Sequence, residues 1–143
     1  MGGCIGDVYL TSGVVNHDRR IAIPGFTEYG YGKLSYDIDP TRMAEELGFK
    51  TGICTTSNSL DKTDTCDAIM KEHNASVKDM EAAAIAYVAR MVNVPYMGVK
   101  VITDIVDGEN PTQDEFFENL SSAAKSLQNA LPKVMDYLIG TKE

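Results

Sequence analysis

No stretch of this 143-residue chain approaches the roughly 20 consecutive apolar residues of a membrane-spanning helix, because glycine, proline or charge breaks every apolar run. A membrane span is excluded on that ground, and a membrane partner is disfavoured by the net charge of -8. The opening MGGCIG has no basic segment followed by an apolar one, so no secretory leader is expected. Gly6 also stands where an N-myristoylation motif needs Ser or Thr. Cysteine is scarce: Cys4, Cys54 and Cys66 are odd in number and form no Cys-x-x-Cys pair. Only His17 and His73 could join them, which is too few ligands for a disulfide framework or a metal centre, so reduced, buried thiols in a cytoplasmic protein are expected. Positive charge is in deficit, with 13 basic residues against 21 acidic ones and a net charge of -8, which repels a phosphate backbone and anionic membrane surfaces. Nucleic acid is thereby disfavoured as a partner, while an uncharged nucleoside is not. Also missing are a Gly-rich phosphate loop and a Gly-x-Ser-x-Gly elbow.

What is present is 43% hydrophobic residues over about one domain's length, enough for a real core. Residues 8–15, VYLTSGVV, read as a strand with a bulge or bend at Ser-Gly, followed by a polar, turn-rich loop. Asp39-Pro40 opens a short helix, with Asp as N-cap, Pro at the first helical position and Gly48 as the stop; Met43, Leu47 and Phe49 form its inner face. A strand over 51–55, a helix over 64–73 and a short strand over 76–78 follow. The Ala-rich run 81–91 predicts a helix buried on most of its circumference, ending at Asn93. Residues 96–103, YMGVKVIT, read as a central parallel strand covered on both faces, broken only by Lys100. Thr112-x-x-Glu115 is a capping box for a closing amphipathic helix whose apolar face is Phe116, Leu120, Ala124, Leu127, Leu131, Val134 and Leu138, with a kink expected at Pro132. Alternating strands and helices without repeats or linkers predict an α/β fold with a largely parallel sheet flanked by helices.

In such sheets the ligand crevice lies outside the carboxyl ends of the strands. Thr103-Asp104 follows one strand directly. A carboxyl enclosed by Ile102, Ile105 and Val106 would lose hydration and hold a proton for general acid work, although position alone better suits a turn or capping aspartate. Asp107 lies close by. Lys78-Asp79-Met80-Glu81 opens the Ala-rich helix; a carboxylate there can accept two hydroxyls of a vicinal diol, and Met80 offers an adaptable apolar surface. Complementing the helix dipole is the simpler role for Asp79 and Glu81. His17-Asp18-Arg19-Arg20 could bind an anion or be a solvated loop, and TTSNSLD (55–61) could present backbone groups and Leu60 to a ligand or serve only as a cap.

Taken together, Met80-Glu81-Ala-Ala-Ala-Ile-Ala, Asn93-Val-Pro-Tyr and Val101-Ile-Thr-Asp-Ile-Val-Asp107 resemble the C-terminal half of 5′-methylthioadenosine/S-adenosylhomocysteine nucleosidases, nearest the plant type. GDVYLTSGVVNHDRRI, TTSNSLD and GENPTQDEFFENL extend the resemblance over nearly the whole chain. It implies a purine-nucleoside phosphorylase-like fold, here as a partial, C-terminal portion spanning 1–143. It implies an N-glycosyl hydrolase that releases adenine from 5′-methylthioadenosine or a related thioether nucleoside in methionine salvage. Asp104 would serve N7 of the purine, Glu81 the ribose hydroxyls, Met80 the sugar pocket and Leu60 the purine face, with Thr103 a further substrate contact. Family members of this type are usually homodimers, so a homodimer is implied, with the His17 loop reaching the neighbour's thioether pocket. No metal or cofactor is implied. The family's first half, with its water-positioning glutamate, is expected to be missing, through a fragment or a truncated gene model. Two alternatives stand beside this reading: a non-catalytic nucleoside-binding or storage homologue of the same fold, and a phosphate-dependent phosphorylase with an anion pocket drawn from Arg19, Arg20 or Lys100.

Overall fold

In the computed structural model, residues 3–61, 63–105 and 112–140 are described, the side chains of 112 and 113 excepted. The elements run β1 (Val8–Asn16), α1 (Thr27–Tyr31), β2 (Leu34–Ser35), α2 (Thr41–Leu47), β3 (Lys50–Thr56), α3 (Asp64–Glu72), β4 (Ala75–Asp79), α4 (Ala82–Met91), β5 (Val99–Val101) and α5 (Thr112–Ile139). Among the described residues, no helix is long and apolar enough to cross a membrane.

β1 is the hub of a mixed sheet whose three longest strands, β1, β3 and β4, run parallel. Its β-branched, apolar sequence is buried on both faces, as a strand covered on both sides should be. Its pairing with β3 runs from Tyr9↔Lys50 to Asn16↔Thr56 and slips between Thr11 and Gly13. This is the irregularity that Ser-Gly foreshadows. At Gly13 a Cβ would lie 2.8 Å from the Leu34 carbonyl oxygen, so glycine is what lets β2 approach. Along the other edge of β1, β5 pairs with residues 8–10 and β2 with residues 13–14, both antiparallel.

Two apolar clusters cover the sheet. Tyr9, Val14, Cys54 and Val77 pack with Ala82, Ala83 and Ala86 of α4 on one face. Leu10 packs with Met43 and Ala44 of α2 and Val134 of α5 in the other cluster, with Leu47 and Phe49 beside them. α2 starts at Thr41, one residue later than expected, and Asp39 Oδ1 accepts from both the Thr41 N–H (3.0 Å) and its hydroxyl (2.6 Å). It ends on left-handed Gly48 (φ 69°).

Several expectations need correction. β5 is not a central parallel strand: it has three residues and, among the described strands, forms its backbone ladder with β1 alone, antiparallel to it. α4 is not buried around most of its circumference. Only its alanine face meets the sheet, while Ile85, Val88 and Met91 are 51%, 57% and 67% exposed, since no described element packs on that side. The packed face of α5 is Ala123, Ala130 and Val134, and Leu120, Ala124, Leu131 and Leu138 are exposed. α1 and β2 occupy the segment read as loop. The cysteines are free, but only Cys54 is buried; Cys4 is exposed and Cys66 half-buried. Val106, Asp107 and the Thr112 side chain of the expected capping box lie outside the described residues.

Candidate active site

A pocket of about 470 Å³ opens along the sheet. That volume lies within the range that encloses small organic ligands, roughly 300 to 1,000 Å³. Its walls come from three stretches: Ser59 and Leu60 after β3, residues 76–81 of β4 and the turn into α4, and residues 100–105 of β5 and the chain beyond it. Phe116 of α5 and Met70 of α3 add apolar surface.

The strand-end rule does not account for this arrangement. β5 runs against β1, β3 and β4, and its register sets Val101 beside Val8, at the end of the sheet where β1 begins. Asp79 instead lies beside Thr56, which pairs with Asn16 where β1 finishes. What joins the two stretches is an ion pair between Lys100 Nζ and Asp79 Oδ2. Asp79 also accepts from the Thr56 hydroxyl (2.6 Å) and the Ala82 N–H (2.9 Å). Burial by itself would raise the Asp79 carboxyl, but the hydrogen bonds from Lys100 and Thr56 outweigh it and hold it below the ordinary carboxylate value. Burial would lower the Lys100 ammonium, and its bond to Asp79 instead leaves it raised. Lys78, a second cation on the wall, donates to the Asp61 carbonyl.

Asp104, half-buried, accepts the Thr103 hydroxyl proton at 2.6 Å. The Ile105 N–H donates to Glu115 Oε2 (2.9 Å), which ties this segment to the start of α5. Glu81 stands at the N-cap of α4, and its side chain makes no capping bond. Met80 and Leu60 are 43% and 41% exposed, so each presents apolar surface to the pocket.

Five of the six residues singled out from sequence, Leu60, Met80, Glu81, Thr103 and Asp104, therefore line one pocket. His17 does not. Its ring is only 2% exposed, and burial pushes its pKa down. Arg19 and Arg20 in the same loop are exposed. Sequence reasoning missed the Asp79–Lys100 pair and the place of Phe116 on the pocket wall, while Ser59 lies in the 55–61 loop offered as a ligand contact. A signal for the pair existed in Lys100 as the one charge in an apolar run, since a buried charge requires a partner.

A family model described as the phosphorylase superfamily matches residues 2–136. The 5′-methylthioadenosine/S-adenosylhomocysteine nucleosidase of Arabidopsis thaliana is 42% identical over 97% of this chain and 54% of its own length. A 5′-methylthioadenosine nucleosidase of the same plant is 41% identical over 97% of this chain and 52% of its own length. The solved apo structure of an Arabidopsis thaliana 5′-methylthioadenosine nucleosidase superposes with a TM-score of 0.91 at 40% identity, covering 99% of this chain and 57% of that one. The chain thus spans about half the length of the curated relatives it matches.

Proposed function

Because the chain belongs to the phosphorylase superfamily, we propose that its pocket serves hydrolysis of the N-glycosidic bond of 5′-methylthioadenosine or a close 5′-thioadenosine, releasing adenine. The observation that carries this reading is the convergence of Glu81 and Asp104 on one pocket with the apolar Met80 and Leu60. The names of the Arabidopsis relatives support the substrate class.

In the proposed reaction Asp104 donates a proton, or a hydrogen bond, to N7 of the purine. The bond between C1′ and N9 then breaks, its electron pair moves into the base, and the sugar gains oxocarbenium character. Water adds to C1′ and its proton passes to solvent, while adenine leaves with the proton donated at N7. General acid assistance of this kind contributes about 10² to 10⁴ in rate. The Glu81 carboxylate accepts the two ribose hydroxyls, while Met80 lies against the sugar, Leu60 against the purine and Thr103 orients the Asp104 carboxyl through their hydrogen bond. Hydrolysis is favoured over phosphorolysis because, among the described residues, the Lys100 charge on the pocket wall is already matched by the Asp79 carboxylate. We extend the reading to a partial phosphorylase-like domain, a homodimer, a cytoplasmic setting and methionine salvage; exposed Arg19 and Arg20, rather than the enclosed His17 ring, are the parts of that loop able to meet a neighbour.

Adenine release from 5′-methylthioadenosine, followed with and without phosphate, tests the proposal. Phosphate-independent turnover that falls by about 10² or more in Asp104→Asn is expected. Turnover that needs phosphate, or an Asp104→Asn chain as active as the parent, overturns it. Nucleoside binding by calorimetry without any release favours the non-catalytic alternative.

A further inference from the structure

The N–H groups at the start of α4 are satisfied without the side chain that stands at the N-cap. Ala82 N–H donates to Asp79 Oδ2 (2.9 Å) and Ala83 N–H to Thr56 Oγ1 (2.9 Å). Ala84 N–H donates to the Glu81 carbonyl (3.1 Å). A helix start leaves its first N–H groups without partners inside the helix, and a polar side chain at the N-cap ordinarily accepts from them. Glu81 occupies that position with extended φ (-136°) and makes no such bond. Its place is taken from the sheet, by the final residues of β3 and β4.

The two replacements are locked to each other. The Thr56 hydroxyl has one proton and gives it to Asp79 Oδ1 (2.6 Å), so only its lone pairs remain to face Ala83. Asp79 Oδ2 is shared between Ala82 N–H and the Lys100 ammonium. Thr56 is 7% exposed, so the assembly is shielded from competing water.

We propose that Asp79 and Thr56 are positioning residues that cap α4 in place of Glu81, keep the Glu81 carboxylate free to meet a ligand in the pocket, and hold Lys100 along its wall. The ligand half of this inference rests on the proposed function, whereas the capping half does not. Without Asp79 and Thr56, the nearest carboxylate able to satisfy the helix start is Glu81 itself, which would turn back onto the backbone and leave the pocket.

Amide hydrogen exchange on the 143-residue chain, read by NMR at Ala82 and Ala83, separates the roles. Asp79→Ala should speed Ala82 exchange, and Thr56→Val should speed that of Ala83, each by roughly two- to thirty-fold, the range of lost caps. Asp79→Asn should restore much of the Ala82 protection, because asparagine is an equally good acceptor at helix starts. Glu81→Ala should leave both amides within about twofold. Acceleration in Glu81→Ala equal to that in Asp79→Ala overturns the capping claim. If Asp79→Ala does not fold, Thr56→Val, which keeps side-chain shape, decides the claim: faster Ala83 exchange supports it, and unchanged Ala83 exchange overturns it.

Calorimetry with 5′-methylthioadenosine then reads the positioning. Asp79→Ala and Glu81→Ala should each weaken binding by roughly tenfold, about one to two hydrogen bonds, and the double variant should bind no worse than Glu81→Ala. Additive losses, or unchanged affinity in Asp79→Ala, overturn positioning through Glu81. Absence of binding by the parent chain overturns the proposed function instead, and leaves the capping claim to be decided by exchange alone.

Discussion

Replacing Lys100 by methionine keeps most of the side chain's volume and removes its charge, and it leaves the Asp79 carboxylate, 9% exposed, without its ion-pair partner. Removing one member of a buried pair destabilises because the other charge stays desolvated. The Lys100 side chain is 27% exposed, so the loss is set below the fully buried case, at about 2 kcal/mol near neutral pH. The pH dependence follows from the signs. Asp79 is held below its ordinary value, so its contribution is complete above the unfolded-state value of 3.8 and fades as pH falls through the lower folded value. Lys100 is raised, so its contribution is complete below 10.5 and fades as pH climbs through the higher folded value. Urea unfolding of parent and Lys100→Met should therefore differ most near neutral pH. The gap should narrow as acid protonates Asp79, which dissolves the pair in one protein and the unpaired charge in the other. A gap that stays constant down to about pH 3 would mean the pair is not its source.

At the scale of elements, Gly13 is the position on which the β1–β2 edge depends. Gly13→Ala places a methyl 2.8 Å from the Leu34 carbonyl oxygen, a backbone atom that cannot swing away as a side chain would. The expected cost is about 1 to 3 kcal/mol, seen as a lowered urea midpoint, with loss of amide protection confined first to residues 34 and 35. An unchanged midpoint would show that β2 contributes nothing to stability. The bulge itself was legible, because Ser-Gly inside a β-branched run is a local signal read by a local rule. So were α2 and α3, whose capping side chains Asp39 and Thr63, and the α2 stop at Gly48, are written in single residues. β5 was not legible: apolar residues 96–103 satisfy a parallel or an antiparallel partner equally, and direction is decided by which strand lies alongside. The same limit applies to the site. Glu81 and Asp104 could be singled out from their places beside an Ala-rich helix and an apolar run, but the Asp79–Lys100 bond joins residues whose proximity exists only after β4 and β5 have been placed.

For the whole molecule, the distribution of exposed apolar surface is the feature that sequence patterning could not anticipate. α4 is apolar nearly all round, yet the sheet covers only its alanines, and Ile85, Val88 and Val92 form a stripe three and four residues apart on the uncovered side. α5 likewise shows Leu120, Leu131 and Leu138. Contiguous exposed apolar patches mark surfaces that associate, whereas the net charge of -8 opposes association of like chains. Val88→Glu adds a charge to the stripe without touching either core cluster. Glutamate is also at least as good a helix former as valine. The unfolding free energy should consequently change by no more than about 0.5 kcal/mol. For the proposed homodimer, sedimentation velocity over a concentration series should show less association in Val88→Glu than in the parent, because joining two such stripes would require burying a carboxylate. Destabilisation by about 2 kcal/mol or more would place Val88 inside the fold's own packing rather than on its surface.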